Sequence, residues 1–172
     1  MKSTGKFFLG ICIIAVFTVQ QSCGFYSFSG TSICAEVETY SVSFFENNAS
    51  IVSPLLSQTM TEELKQKFIS ETNLSIQEKD GDYEFSGSIT KFEVTPVAAQ
   101  NTDVASQNRL TIVVSAKLVC EKCPESSFEK DFNGFLDFDA TEDFSSVENQ
   151  LVGDIVKDQL VQKIFNEAAI NW

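Results

Sequence analysis

The chain has 172 residues, of which 43% are hydrophobic and 16 are phenylalanine, enough apolar material for the core of one domain. Its 24 acidic and 12 basic residues give a net charge of −12, which argues against nucleic acid and against general adhesion to anionic membranes. The absence of histidine excludes Ser-His-Asp and Cys-His catalysis and removes the commonest metal ligand.

The N-terminus predicts a lipoprotein signal peptide over residues 1–22. Two lysines form a positive region, and Phe7 to Val19 is an apolar run too short to span a membrane. The small residue Ser22 then precedes Cys23, which is the arrangement that lipoprotein processing needs. We expect cleavage before Cys23 and acylation of its thiol, so that lipid anchors the mature chain. The alternative is an ordinary signal peptide followed by a chance cysteine.

One domain is predicted after the signal peptide. Residues 23–36 are rich in Gly, Ser and Phe and predict a lipidated tether, and residues 37–172 predict a single domain. The domain begins with a strand, since polar and apolar residues alternate from Val37 to Phe45. The polar stretch Glu46 to Asn48 is expected to end that strand.

A helix is predicted next, with Ser53 as its N-cap and Pro54 at its first position. Its apolar stripe has a four-residue spacing: Leu56, Met60, Leu64 and Phe68. The helix is expected to end near Thr72, and a short strand is expected from Leu74 to Gln77.

Three longer alternating segments follow: Tyr83–Pro96, Arg109–Cys120 and Phe128–Asp139. They are neighbours in sequence, so antiparallel pairing is expected. The first segment changes phase near Thr90, which indicates a bulge.

The last helix is expected to open with a capping box formed by Ser145 and Glu148. Its apolar residues form two rows that are more than a third of a turn apart: Val147, Leu151 and Ile155, then Leu160, Ile164 and Ala168. Either the helix kinks near Lys157, or it buries different sides along its length.

This element order predicts an α+β two-layer sandwich. We expect a mainly antiparallel sheet of four or five strands, with two helices covering one face. The opposite face would carry the polar set that includes Arg109 and Lys117.

The cysteines fit an oxidising compartment. If Cys23 is lipidated, Cys34, Cys120 and Cys123 remain, and the odd count leaves at least one free thiol or an intermolecular bond. Cys120 and Cys123 form a C-x-x-C between two strands, with Pro124 after it. A small disulfide between this pair or two unpaired thiols are the favoured interpretations, because a redox pair needs a helix start. Zinc is disfavoured because only Cys34 could add a third thiolate, and no metal or cofactor is expected.

The mature chain resembles the lipopolysaccharide-assembly lipoprotein family, LptE, from the predicted lipidated cysteine to the C-terminus. The similar segments are Cys23–Ile33, Phe44–Asn47, Leu56–Thr59 with Leu64–Lys65, Asn108–Ile112, Ser146–Glu148 and Asn171–Trp172. The resemblance implies a periplasm-facing, lipid-anchored outer-membrane protein that is not an enzyme. It further implies a plug for a large β-barrel partner, LptD, which supports assembly of the barrel and helps to deliver lipopolysaccharide to the outer leaflet.

Within that interpretation, Arg109 and Lys117 are the best candidates for contact with lipopolysaccharide phosphates, because a guanidinium suits bidentate phosphate binding. The polar segment between Pro96 and Asn108, with Asn101 and Ser106, is expected to contact the barrel wall. The alternatives are two solvated charges paired with carboxylates and a mobile solvent loop. Two other functions compete: a lipid-anchored periplasmic scaffold of another envelope complex, and a thiol-redox enzyme based on the C-x-x-C.

Overall fold

The computed structural model describes residues 32–51, 53–97 and 106–170, so the predicted signal peptide and Cys23 lie outside it. Six strands form one sheet: β1 Thr39–Val42, β2 Glu46–Asn47, β3 Ser75–Gln77, β4 Tyr83–Val97, β5 Gln107–Val119 and β6 Phe128–Asp139. The helices are α1 Pro54–Glu71, α2 Phe144–Ile155 and α3 Val161–Ala169, with a π-helical segment at Val156–Leu160 between the last two. A short 3-10 turn, Pro124–Ser126, connects β5 to β6. The predicted α+β class with helices against one sheet is confirmed.

The sheet has six strands and is mixed, although its long pairings are antiparallel, as expected. Its strand order is β3-β1-β4-β5-β6, and β2 pairs with β4 beyond the end of β1. The three long strands are antiparallel neighbours, as predicted, whereas every pair that involves β1, β2 or β3 is parallel. The β1–β3 pair is parallel because α1 carries the chain back between the two strands, which is the crossover that parallel strands need.

The β4–β5 hairpin is the longest pairing in the sheet and has its bulge where the sequence predicted one. Its register shifts between Ile89 and Lys91, so Phe92 returns to the buried side. Pairing continues to Pro96 with Asn108 and to Val97 with Gln107, further than predicted. Pro96 and Asn108, the two ends of the polar segment that the sequence placed between the strands, are therefore paired with each other.

The connection from β3 to β4 crosses over β1. Both strands run parallel to β1 on opposite sides of it, and only residues 78–82 join them. Gly81 lies directly on the β1 backbone, where a Cβ would be 2.5 Å from atoms of Tyr40 and Ser41. Glycine is therefore required at this crossing, since any side chain would push the loop off the sheet.

Helix α1 begins at Pro54 with Ser53 as the N-cap residue, and it ends at Glu71, as predicted. The Ser53 hydroxyl does not cap α1, however, but donates a 2.7 Å hydrogen bond to Glu148 Oε1. The predicted capping box of Ser145 and Glu148 is wrong, since Asp143 is the N-cap of α2 and accepts the Ser145 N–H. Glu148 thereby links the starts of the two helices.

The π-helical segment explains the phase change in the last helix. Two buried rows continue through it, with a five-residue step at Ile155 to Leu160 and at Val156 to Val161, and four-residue steps on either side. The Val161 N–H donates to Val156 O, which is the i to i+5 bond of a π-helix. The extra residue keeps both apolar rows on one buried face.

The core lies between the sheet and the two helical elements and is rich in aromatic rings. The Phe68 ring of α1 is fully buried, and its centroid lies 5.4 Å from Tyr40, 4.8 Å from Phe85 and 5.1 Å from Phe165. At the β6 side, Gly134 lets the helix approach closely, because a Cβ there would be 2.6 Å from an Ile155 methyl group. All the predicted stripe residues of α1 are fully buried.

Candidate functional site

The sheet face opposite the helices is open along its three long strands. Because side chains alternate along a strand, the mostly polar residues lie on this face and the apolar residues between them pack into the core. The residues of this open face are Glu84, Ser86, Ser88, Lys91, Glu93 and Thr95 on β4, Arg109, Thr111, Val113, Ser115 and Lys117 on β5, and Glu129, Asp131, Asn133, Phe135 and Asp137 on β6. Arg109 and Lys117 lie on it, as predicted.

Arg109 is already bound by its cross-strand neighbour. Its Nε and Nη2 atoms donate to the two carboxylate oxygens of Asp137 at 2.6 and 2.9 Å. Its guanidinium also lies 4.2 Å from the centroid of the Phe135 ring, which is 43% exposed. The hydrogen bond from Arg109 lowers the pKa of the Asp137 carboxyl, so this pair stays ionised over a wide pH range.

Lys117 is more available than Arg109 for contact with a phosphate group. Its Nζ lies 3.6 Å from Glu129 Oε2, and both side chains are at least half exposed, so the pair is weak. Eight residues of extended strand separate Lys117 from Arg109, which is roughly 27 Å. The two cations share a face but do not form one phosphate site.

The end of the sheet at Val97 and Gln107 lies next to the second predicted site, Asn101 and Ser106. Ser106 is exposed next to β5, and its carbonyl accepts the Ala140 N–H at 3.0 Å. Asn101 lies outside the described residues. Arg109 belongs to this end, whereas Lys117 belongs to the opposite end, near the cysteines.

The free edge of β6 is covered by a feature that the sequence interpretation missed. The side-chain amide of Gln159, in the π-helical segment, accepts the Phe135 N–H at 3.1 Å and donates to Phe135 O at 2.8 Å. Lys163 Nζ donates to Asn133 O at 2.6 Å. These bonds occupy groups that would otherwise pair with another strand. The only sequence signal of this feature was the five-residue spacing between the apolar Ile155 and Leu160, which indicates the π-helical segment that contains Gln159.

The prediction of a Cys120–Cys123 disulfide is wrong. Cys34 is bonded to Cys123 over a sequence separation of 89 residues, and Cys120 is a buried free thiol. The fold decides this pairing, because it brings the segment before β1 beside the β5–β6 connection. The C-x-x-C is therefore not the catalytic pair of a redox enzyme in this state.

Two further observations concern the described residues alone. They contain no group of three or more His, Cys, Asp or Glu side chains placed to hold a metal ion. In the same ranges, no helix has both the length and the apolar character needed to cross a bilayer.

The fold and the open polar face define the chain as a two-layer α+β domain with one face of its sheet uncovered. The neuraminyllactose-binding hemagglutinin homologue from Helicobacter pylori has a TM-score of 0.50 at 8% identity, over 77% of this chain and 83% of that chain. A minor lipoprotein from Acinetobacter baumannii has a TM-score of 0.48 at 12% identity, over 76% of this chain and 91% of that chain. Such low identities show the fold alone, and no curated protein matches the sequence.

The chain belongs to the lipopolysaccharide-assembly family, LptE, whose family model matches residues 37–169. This match spans all the strands and helices of the domain. Membership assigns the chain to a family of lipoproteins that act in lipopolysaccharide transport and outer-membrane biogenesis.

Proposed function

We propose that this protein is a lipid-anchored accessory subunit of the outer membrane that plugs an LptD-type β-barrel. In that role it supports assembly of the barrel and helps to deliver lipopolysaccharide to the outer leaflet, and it is not an enzyme. Family membership over residues 37–169 is the observation that carries the proposal. The structure adds arguments about size, direction and surface chemistry.

The dimensions of the domain suit a barrel lumen. The 15 residues of β4 extend roughly 50 Å, which exceeds the ~25 Å apolar band of an outer-membrane barrel. Five adjacent strands and one helical layer are about 20–25 Å across. Such a cross-section needs a wide barrel, since lumens that hold a plug are known at about 22 strands.

The positions of the cysteines and of the polar loop give the domain a direction. Ser32 donates its N–H to Ala169 O at 2.6 Å, and Cys34 is bonded to Cys123, so the chain enters the domain at the cysteine end. Cys23, the proposed anchor, precedes Cys34 by only eleven residues. The segment with Asn101 and Ser106 follows the far end of β4. Lipid attachment at the cysteine end would therefore place this segment deep in the barrel.

The open face supports a wet environment rather than a lipid-facing one. Its charged groups are largely paired, as Arg109 is with Asp137 and Lys91 is with Glu93 at 2.7 Å. Ser86, Ser88 and Ser115 lie between the charges. Hydroxyls and paired charges remain hydrated at low cost, whereas burial against hydrocarbon would be expensive. We therefore place this face toward the lumen wall or toward lumenal water.

Photo-crosslinking in cells tests the proposal. A crosslinking residue at Asn101 or Ser106 is expected to capture a large outer-membrane barrel, and the barrel is expected to co-purify in detergent. The matched control is Gln58, an exposed position on α1. Co-purification of a different envelope complex would support the scaffold alternative. If the barrel co-purifies but neither loop position captures it, the loop is not the element that contacts the barrel.

A further inference from the structure

Three cysteines meet at the end of the sheet where β4 begins and β5 ends. The Cys34–Cys123 disulfide closes the segment before β1 onto the β5–β6 connection. Cys120 is 2% exposed, and its Sγ accepts the Cys123 N–H at 3.1 Å. A thiol thus lies beside a disulfide with only two residues between it and one of the bonded cysteines.

We propose that Cys120 exchanges with this disulfide and that the exchange removes the covalent link between the segment before β1 and the β5–β6 connection. The Cys120 thiolate attacks Cys123 Sγ, the Cys34–Cys123 bond breaks, and a Cys120–Cys123 bond forms. Cys34 leaves as a thiolate and takes up one proton, which balances the proton that Cys120 lost. The number of disulfides is unchanged, so no oxidant or reductant is needed.

The local contacts favour this attack over an attack by an outside thiol. The Cys123 N–H donates to Cys120 Sγ at 3.1 Å, and this bond holds the thiol sulfur against the residue whose sulfur it would attack. Cys120 and Cys123 are both 2% exposed, so solvent thiols reach neither sulfur easily. The neighbouring thiol is therefore the best placed nucleophile.

Opposing effects favour the Cys120–Cys123 bond and the Cys34–Cys123 bond. Closing the four-residue loop from Cys120 to Cys123 is entropically easier than closing a loop of 89 residues, by roughly 100-fold in an unconstrained chain. The folded contacts of the segment before β1 oppose this preference. They include the bond from Lys122 Nζ to Glu36 O at 3.0 Å and the bond from the Glu38 N–H to Asp82 at 3.0 Å.

Exchange would remove the covalent closure of the segment before β1. Ser32 keeps its hydrogen bonds to Ala169 O, and Glu36 O keeps its bond from Lys122 Nζ, so hydrogen bonds and packing alone would then hold this segment. The disulfide state would thus decide whether the segment that leads to residue 23 is tied covalently to the β5–β6 connection, which goes beyond the proposed function.

Trapping of the released thiol tests the exchange in the native full chain, extracted in detergent. The protein is held at mildly alkaline pH with excess alkylating reagent, and peptide mapping follows each cysteine. We expect Cys34 to become alkylated while Cys120 enters a disulfide with Cys123. In the matched Cys120→Ala variant, Cys34 should stay bonded to Cys123 and unlabelled over the same period.

Two results would overturn the proposal: alkylation of Cys120 itself with the Cys34–Cys123 bond intact, or no labelling of either residue. A Cys34→Ser variant provides a second measurement, since it should oxidise to Cys120–Cys123 and keep the native circular dichroism spectrum. Two free thiols in that folded variant under oxidising conditions would show that the alternative bond does not fit the domain. Neither measurement involves the barrel, so their failure leaves the proposed function untouched.

Discussion

Deletion of Asp158 tests the role of the π-helical segment. Removing one residue converts the five-residue steps into ordinary four-residue steps, so Ile155 and Leu160 stay on the same buried face. Asp158 is exposed, and its removal takes nothing from the core. The α-helix can therefore continue from Phe144 to Ala169 without the bulge.

Deletion of Asp154 is the matched control, because it removes the same residue type from an exposed position four residues earlier. If the bulge closes to compensate, Ile155 and Val156 rotate by about 100° relative to the residues on either side. Both are fully buried in the native protein. If the bulge persists, the first turns of α2 rotate instead and lose the burial of Leu151 and Val152.

The expected free energies of unfolding separate the two deletions. Loss of burial for two aliphatic side chains costs about 3–6 kcal/mol in the Asp154 deletion. The Asp158 deletion can lose the two bonds between Gln159 and Phe135, at about 1 kcal/mol each.

Urea denaturation followed by circular dichroism measures this difference. We expect the two midpoints to differ by about 1–2 M, with the Asp158 deletion nearer the parent. Equal losses of stability in the two deletions would refute the argument that the extra residue keeps the apolar rows in phase.

Two further predictions concern charged pairs. Asp82 accepts the N–H groups of Glu38 and Thr39 and lies 2.7 Å from Lys122 Nζ, and the hydrogen bond from Lys122 is the main reason that its pKa lies well below the ordinary 3.8. A carboxyl whose pKa is lowered by folding stabilises the folded protein above its unfolded-state pKa, and this stabilisation is lost as pH falls. Asp82→Asn should therefore reduce the loss of stability between about pH 5 and pH 2.5. Urea midpoints at the two pH values would show this. Asp80→Asn is the control, and an equal pH dependence in parent and Asp82→Asn proteins would contradict this. At the open face, Asp137→Asn should strengthen lipopolysaccharide binding by freeing Arg109, while Arg109→Ala should weaken it by about 3–10-fold, measured with purified lipopolysaccharide. If neither variant changes the affinity while both lower stability, the pair is structural.

Periodic signals predicted most elements of this fold well. The four-residue stripe of α1, the alternation of the long strands and the phase change near Thr90 each report a local packing requirement. Such requirements are readable from neighbouring residues, because burial repeats with the period of the element. The two rows of the last helix were also visible, although the π-helical step that joins them was not identified.

Side-chain partners were less predictable. Ser53 has the residue type and position of an N-cap, yet its hydroxyl bonds Glu148, which lies 95 residues away in the chain. Arg109 was recognised as a candidate phosphate ligand, but its pairing with Asp137 depends on the β5–β6 register. Long-range contacts of this kind depend on which elements become neighbours, and local sequence patterns do not carry that information.

The sequence by itself determined where apolar residues recur, and hence the helices, the long strands and the α+β class. Only the tertiary structure decided the parallel pairing of β1 and β3 across α1, the covering of the β6 edge by Gln159, and the bond from Cys34 to Cys123. Local periodicity follows from burial within one element, whereas these three features require two distant segments to meet. Loop closure strongly favoured the nearby Cys120, so the choice of Cys34 reports the packing of the folded domain.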